Sequence, residues 1–494
     1  MPGRRENIIS RGPDSSRRMR DLLLKDWLNC KGIKIPQLYL VGGTVRDLFR
    51  DLSPKDIDLV CRGAKEFAAA VAGCKNAALV PMEKKPEEPC YRVVDREDSG
   101  NFLDIAEMRG ETIYDDLYRR DFTINAIALE LNEDGSTGAV IDPLDGAGDV
   151  ERKTLRMAGD KSILSDPLRI LRAVRFAAGL EFMIEESTLK EMRSRAALLR
   201  NVSAERVRAE LLRILQTSRS VFYFRQMDEL GILEVIFPEI SAMKGCPQDG
   251  FHHRDVWGHS LLVMEHSENV INDLSGCFGE WSGTITDLLA RDNRLPLLKL
   301  AAVLHDSGKP ATRGLDPDTG RITFYRHDEE GAKLIGLIAE RLKMSCRERD
   351  FMVLMAAEHL HALYLVSGDV KTAALMKWFR RMRDDSIPAI ILSMADTMSS
   401  LGPDSSDIIR GRHIDWAKRS VMEYYGKIKA KIESPGLVNG DDLIALGMQP
   451  GPEMGRILEE TRSFQDAGEI KNREEALELV RRLMTSAPPF SEGD

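Results

Sequence analysis

The hydrophobic pattern begins in earnest with the apolar run LYLV at residues 38–41, broken by Gly42-Gly43 and followed by TVRDLFR at 44–50. A short apolar run closed by glycines reads as a buried strand and a tight turn, and the next stretch reads as a short helix. After Ser53-Pro54 the chain returns as DIDLV at 56–60. On a strand, side chains two apart share a face, so Asp56 and Asp58 point one way while Ile57 and Leu59 point to the core. Residues 65–72 predict a helix, and residues 91–94 and 102–108 predict strands, with a charged, proline-rich loop within 81–101. Residues 132–138, containing Asp134-Gly135, predict a hairpin-like turn. Residues 165–180, with Asp166 opening a helix and Pro167 in its first turn, and residues 202–215 predict helices, the second amphipathic with Ser203 at its N-cap. Beyond about residue 222 the pattern is helical. Ahead of the first strand, Leu22, Leu23, Leu24, Trp27 and Leu28 give a helix an apolar side, and residues 486–494 are expected to be disordered. The fold class that follows is α+β, with strands first and then helices.

At 494 residues, 43% of them hydrophobic and 30% charged, the chain is long enough for several cores. No apolar run approaches the roughly 18 residues that would span a bilayer, so no membrane partner is expected. The seven cysteines are scattered without a C-x-x-C pair, which predicts neither disulfides nor a thiolate metal site and points to a reducing cytoplasm. A net charge of −9 gives no overall case for nucleic-acid binding, yet residues 151–225 hold 16 Lys/Arg against 9 Asp/Glu. Only the surface facing phosphate needs to be basic.

The chemistry-bearing residues concentrate in three strings. Glycines at 42 and 43 let backbone N–H groups approach a polyphosphate at a helix start, and Arg46 adds a fixed cation. The like-charged Asp56 and Asp58 on one strand face are costly unless divalent cations neutralise them. Asp104 lies in the predicted strand at 102–108, where a partner for Arg92 or Arg109 is the plain alternative. The second string is RRDFTINA at 119–126, and the third is SDPLRILRAVRFAAGL at 165–180. In the third, Arg169, Arg172 and Arg175 recur on one broad face, with Leu168, Leu171 and Phe176 serving the other side. Asp166 and Arg169 offer an acceptor and a donor fork, which suit the edge shared by cytosine and adenine. Uracil and guanine present the opposite order.

GG-x-V-R-D followed by D-x-D resembles the signature of the class II tRNA nucleotidyltransferase and bacterial poly(A) polymerase family, and the other two strings are similar to further motifs of that family. The resemblance implies a polymerase-beta-like nucleotidyltransferase head in which the strands form a small mixed sheet, with a helical neck, an HD domain and a helical body behind it. It implies that Asp56, Asp58 and Asp104 are catalytic, with Asp56 and Asp58 holding Mg²⁺. It implies nucleotide contacts from Gly42, Gly43, Arg46, Asp47, Arg120, Asp121, Asn125, Asp166, Arg169, Arg172 and Arg175. The partners implied are CTP, ATP and the 3′ end of tRNA or another RNA. Two departures stand out: the family often has Glu where this chain has Ser165, and its glycine-and-basic loop after the D-x-D strand is replaced by the segment at 81–101. These leave open whether C, C and A are added, or only part of that end, or a poly(A) tail.

In the helical part, His259, the adjacent pair His305-Asp306 in HDSGKP, and Asp396 follow an H…HD…D order that resembles the HD phosphohydrolase superfamily. Imidazole and carboxylate from separate helices can hold a divalent metal, and His327 and His359 could extend the site. His252, His253, His266 and His361 are expected to be surface or packing residues. The turn PGP-x-x-G at 450–455 is either an RNA-phosphate contact or a plain helix connection. The domains expected are a tail and first helix (1–37), head (38–150), neck (151–225), HD domain (226–430) and C-terminal body (431–494), with an HD-centred phosphohydrolase as the rival main activity.

Overall fold

The structure is a computed structural model that describes residues 24–30, 33–54, 56–82, 89–132, 135–365 and 372–486. The expectations placed on Leu22, Leu23, Asp134 and the far C-terminal tail lie outside those residues. Contacts divide the chain into two compact units, residues 1–217 with 226–236, and residues 218–225 with 237–494.

The first unit is built on a seven-stranded sheet with the order β3-β4-β5-β2-β1-β6-β7. Its strands are β1 (Leu38–Val41), β2 (Ile57–Cys61), β3 (Ala78–Met82), β4 (Cys90–Val94), β5 (Phe102–Glu107), β6 (Ala128–Leu131) and β7 (Thr137–Ile141). The sheet is mixed: β1 runs antiparallel to β2 and β6, and β2 runs parallel to β5. Strand β1 is apolar throughout because both faces of the sheet are covered, so it has no solvent side to make polar. Leu38, Leu40, Leu59, Leu103 and Ile105 pack with helices α1 (Gly42–Phe49) and α2 (Ala64–Cys74) on one face. Tyr39, Val41 and Val60 pack with α3 (Ile113–Tyr118) on the other. Asp58 and Asp104 sit opposite each other in the β2–β5 register, on this second face. The unit continues into α4 (Arg169–Leu180) and the neck helix α5 (Ala204–Leu215). Ser203 stands at the N-cap of α5, but its side chain makes no capping hydrogen bond.

Trp27 and Leu28 join the first core layer. That packing sets Cys30 beside Cys74 at the end of α2, and the two form a disulfide with Cα atoms 6.1 Å apart. The expectation of no disulfide is therefore corrected. The two cysteines are 44 residues apart and meet only through tertiary packing, which spacing cannot reveal. Cys61, Cys90, Cys246, Cys277 and Cys346 are free thiols.

Among its described residues the second unit is helical apart from a two-stranded ribbon at Gly314–Leu315 and Ile322–Thr323. Its core is formed by α6 (Val256–Asn272), α7 (Arg294–Leu304), α8 (His327–Arg341), α9 (Cys346–Tyr364), α10 (Ser386–Ser399) and α11 (Asp407–Glu423). Helices α12 (Gly440–Ala445), α13 (Pro452–Ala467) and α14 (Arg473–Ser486) close a smaller core around Leu443, Ile457, Ala476 and Val480. Pro452, in the PGP turn, is the first residue of α13, where a missing N–H costs nothing. Among the described residues, no helix is long and apolar enough to cross a membrane.

Candidate functional sites

In the first unit a cavity of about 720 Å³ opens at the ends of β1 and β2, lined by residues from the three strings, among them Gly43, Arg46, Asp58, Arg120, Asp121 and Arg172. Gly42 has φ +65°, and a Cβ there would stand 3.3 Å from both the Arg120 guanidinium and an Asp58 carboxylate oxygen. Glycine is thus required for the turn and for close approach of the backbone to the site. The buried Thr44 hydroxyl donates to the Asp56 carbonyl at 2.9 Å and accepts from the Asp58 N–H at 2.8 Å. It ties α1 to the segment carrying both carboxylates. Sequence reasoning passed over Thr44; a small hydroxyl buried inside an otherwise functional string was the available signal.

Asp56 is exposed just ahead of β2, and Asp58 is partly buried. Asp104 faces Asp58 across the register, and both its oxygens accept from Arg92, at 2.7 and 2.8 Å. The Arg92 guanidinium lies 3.9 Å from the centre of the Phe102 ring. Asp104 is therefore the partner of Arg92 as well as the neighbour of Asp58. An all-oxygen donor pair, Asp56 and Asp58, suits a hard divalent cation.

Around this edge the arginines are held by carboxylates and amides. Arg46 reaches Asp47 at 3.0 Å and the Asn125 side-chain oxygen at 2.9 Å. Asn125 in turn donates to Asp121 at 3.0 Å, and Arg172 reaches the other Asp121 oxygen at 2.6 Å. Burial alone would raise the Asp121 pKa, but the Arg172 guanidinium and the hydrogen bonds from Arg172 and Asn125 outweigh it and hold the carboxyl down at about 2. Arg120 bonds the buried Asp116 at 2.9 Å. Arg175 pairs with the buried Glu210 of α5 at 2.5 Å, so it is locked inward.

Phe176 is half-buried in the cavity wall, with Arg175, Arg172 and Arg46 at 4.0, 5.3 and 5.5 Å from its ring centre. The expectation that Phe176 serves the side away from the arginines is corrected: Phe176 is adjacent to Arg175 on the helix, and its ring becomes their common platform. Asp166 and Arg169 both line the cavity. Arg169 donates to the carbonyls of Arg119 and Arg120 at 2.9 and 3.1 Å and to Ser162 Oγ at 2.9 Å. Asp166 accepts from Arg206 at 2.7 Å. Arg206 and Glu210, both on α5, were missed; Glu210 was signalled only by being an acid on the core side of a basic helix.

The second unit holds a buried cluster drawn from separate helices. His259 lies on α6, His305-Asp306 follow α7, His327 opens α8, His359 lies on α9 and Asp396 on α10. Sets of ligand atoms within 4.8 Å of one another form His259–His305–Asp306, Asp306–His327–His359 and His252–His259–Asp396. His252, expected at the surface or in packing, also falls in the last set and sits 4.5 Å, ring to ring, from His259. Three imidazoles are oriented alike: the Nδ1 atoms of His305, His327 and His359 face the carbonyls of Ala302, Phe324 and Ala356 at 2.9, 2.8 and 2.6 Å. With Nδ1–H donated to a carbonyl, each Nε2 lone pair is left for a cation. The Nε2 atoms of His327 and His359 then approach to 3.3 Å. Asp306 sits buried at the centre: one of its oxygens lies 3.3 Å from His305 Nε2, and the other lies 3.4 Å from His327 Nε2 and 3.9 Å from His359 Nε2. Burial lowers His259 and His359 to about 4, so they are neutral ligands near pH 7. This donor set fits a divalent metal. Lys309 also reaches Asp306, at 2.7 Å. Gly308 explains the glycine of HDSGKP: a Cβ there would lie 2.2 Å from the His327 carbonyl, so only glycine lets the turn press against the start of α8.

A mixed-sheet head bearing paired carboxylates beside an arginine-lined cavity, followed by a helical His/Asp cluster, defines a nucleotidyltransferase with an HD domain. Residues 38–156 match the poly A polymerase head domain, residues 181–244 the probable RNA and SrmB-binding site of polymerase A, and residues 256–401 the HD domain. The chain is 32% identical over 465 residues to the A-adding tRNA nucleotidyltransferase of Deinococcus radiodurans, covering 92% of this chain and 97% of that protein. It is 29% identical to the CC-adding tRNA nucleotidyltransferase of Thermus thermophilus, over 88% and 91% of the two. Its fold is similar to the Thermotoga maritima CCA-adding enzyme complexed with tRNA, with a TM-score of 0.59 at 24% identity over 97% of each chain. The chain belongs to the tRNA nucleotidyltransferase and poly(A) polymerase family.

Proposed function

We propose that this protein is a template-independent tRNA 3′-end nucleotidyltransferase that transfers a nucleoside monophosphate from CTP or ATP to the RNA 3′-hydroxyl and releases pyrophosphate. Addition of the terminal A is the narrower reading, supported by near full-length similarity to an A-adding relative. The observation that carries the proposal is the convergence of Asp58, Gly43, Arg46, Arg120, Asp121, Asp166 and Arg169 on one cavity. Asp56 and Asp58 would hold the divalent metal, for which we propose Mg²⁺, and Asp104 supports them from the adjacent strand. When bound there, the metal supplies charge neutralisation to the triphosphate and lowers the pKa of the attacking hydroxyl. Arg46, Arg120 and Arg172 are held in place before the nucleotide arrives, which limits the ordering cost at the moment of reaction. The proposed compartment, the cytoplasm, follows from the proposed substrates.

The test is incorporation of each labelled nucleotide on transcripts ending before CCA, after CC, and on an unrelated RNA. One AMP on the CC-ended transcript is expected; C and A addition stopping at CCA assigns full CCA synthesis, and long A tails on any RNA overturn the tRNA reading. Asp56→Ala should abolish transfer while leaving thermal unfolding unchanged.

The buried His/Asp cluster favours a second activity, a metal-dependent phosphohydrolase acting on nucleotide or RNA ends. Phosphate release from 2′,3′-cyclic nucleotides should be lost in Asp306→Ala and retained in Asp56→Ala. No release by the unaltered protein with several divalent metals removes this reading.

A further inference from the structure

We propose that Arg206, on the neck helix, is a specificity-determining positioning residue: it holds the Asp166 carboxylate at the orientation from which the exocyclic amine of cytosine or adenine is recognised. The inference rests on the reading of Asp166 and Arg169 as the base-recognising pair.

The two members of that pair are fixed by different means. Arg169 is anchored by main-chain carbonyls of Arg119 and Arg120 and by Ser162 Oγ. These groups belong to the folded frame of the head, so the donor fork is held from behind. Asp166 has extended backbone angles, φ −153° and ψ 99°, between a one-turn helix and α4. Its Oδ1 accepts from the Leu168 N–H at a long 3.3 Å. Its Oδ2 accepts from Arg206 Nη2 at 2.7 Å, a charge-assisted bond from a residue 40 positions along the chain. The Asp166 side chain is 13% exposed and that of Arg206 45%, so the arginine caps the carboxylate from the open side.

A carboxylate oxygen accepts more than one hydrogen bond, so the Arg206 contact leaves acceptor capacity for an amine. What the contact removes is rotation. A carboxylate fixed against the base edge meets the amine of C or A with an acceptor and meets the carbonyl of U or G with repulsion. Sites built in this way reject the analogue with the wrong polar group by large factors. A carboxylate free to swing loses the repulsion first, because water can fill the gap. Removing Arg206 should therefore relax selection more than it slows transfer. The same helix supplies Glu210, which holds Arg175, so α5 braces both the base-reading edge and the arginine platform.

The test compares kcat and KM for ATP, CTP, UTP and GTP on CC-ended tRNA among unaltered protein, Arg206→Ala, Arg206→Lys, Asp166→Ala and the double variant, with thermal unfolding of each. Losing a charge-assisted contact of this kind corresponds to roughly a ten- to hundredfold fall in discrimination. Arg206→Ala is expected to show that fall against UTP and GTP, Arg206→Lys to restore part of it, and the double variant to select no worse than Asp166→Ala. If Asp166→Ala loses selection while Arg206→Ala keeps it, or if Arg206→Ala slows all four nucleotides equally, Arg206 has no role in selection and the base-recognition reading stands. If Asp166→Ala selects like the unaltered protein, both fall.

Discussion

Replacing Asp121 by Asn tests the electrostatic frame of the nucleotide cavity without changing its shape. The amide keeps an acceptor for the Phe122 N–H and for Asn125, but it cannot carry the charge that faces Arg172. In the native protein that charge is favoured strongly enough to hold the Asp121 carboxyl at about 2 against an ordinary value of 3.8, even though burial acts in the opposite direction. A difference of this size corresponds to about 2 kcal/mol. Asp121→Asn should lose roughly that much stability near neutral pH, which for a unit of 150–250 residues is about 4–8 °C in unfolding temperature. The sign with pH follows from a depressed acid. The stabilisation is fully present above the unfolded-state value of 3.8 and disappears as pH falls toward about 2, so the two proteins should converge in acid. Differential scanning calorimetry across pH measures both quantities, and nucleotide KM should rise in parallel because Arg172 loses the carboxylate oxygen that anchors it. Equal unfolding temperatures at pH 7, or a gap that widens in acid, would refute the reasoning.

Gly42→Ala places a side chain on a backbone with φ +65° and 3.3 Å from both Arg120 and Asp58; it should cost about 1–2 kcal/mol and raise nucleotide KM, both read from thermal unfolding and steady-state kinetics. Divalent metal should raise the unfolding temperature of the helical unit, and His327→Ala combined with His359→Ala should remove that response. Metal affinity in the cluster should increase with pH: burial disfavours the His305 imidazolium, but the neighbouring Asp306 carboxylate outweighs it and raises the pKa, so a proton must leave when a cation enters. Calorimetric titration in buffers of different ionisation enthalpy measures that release, and pH-independent affinity would contradict it.

The sheet at the heart of the head was legible because β1 and β2 carry unambiguous signals: an apolar run closed by glycines, and alternation with acids at every second position. Asp56, Asp58, Arg46 and the Asp121 string could be found because chemistry confined them to short, unusual sequences. Residues that act across long separations were not legible. Arg206 meets Asp166 from 40 positions away, and Glu210 meets Arg175 from 35. Each is a surface-type residue on an amphipathic helix until the fold supplies its partner. Phe176 was assigned by composition, since an aromatic among leucines reads as core, whereas stacking on guanidinium groups is a property of three-dimensional placement. Cys30 and Cys74 were missed for the same reason. His252 reads as a surface or packing residue because its neighbours in sequence are polar and loop-like, while the ring it touches belongs to α6.

The two sites handle buried charge in opposite ways. In the head, arginines are held in advance by carboxylates, and Asp121, Asp116 and Glu210 are each buried against at least one guanidinium. An arriving triphosphate therefore meets cations already oriented, and its own charge is drawn to a rim whose counter-ions lie behind the arginines. In the helical unit the balance is reversed: carboxylates and imidazole lone pairs converge, and Lys309 stands beside Asp306 as a permanent cation. The tight approach of His327 to His359 is unfavourable unless a proton or a metal sits between the lone pairs. The first arrangement binds an anion without further reorganisation, whereas the second is completed by a cation. Metal chelation should accordingly loosen the helical unit more than the head, where the ion pairs persist without it.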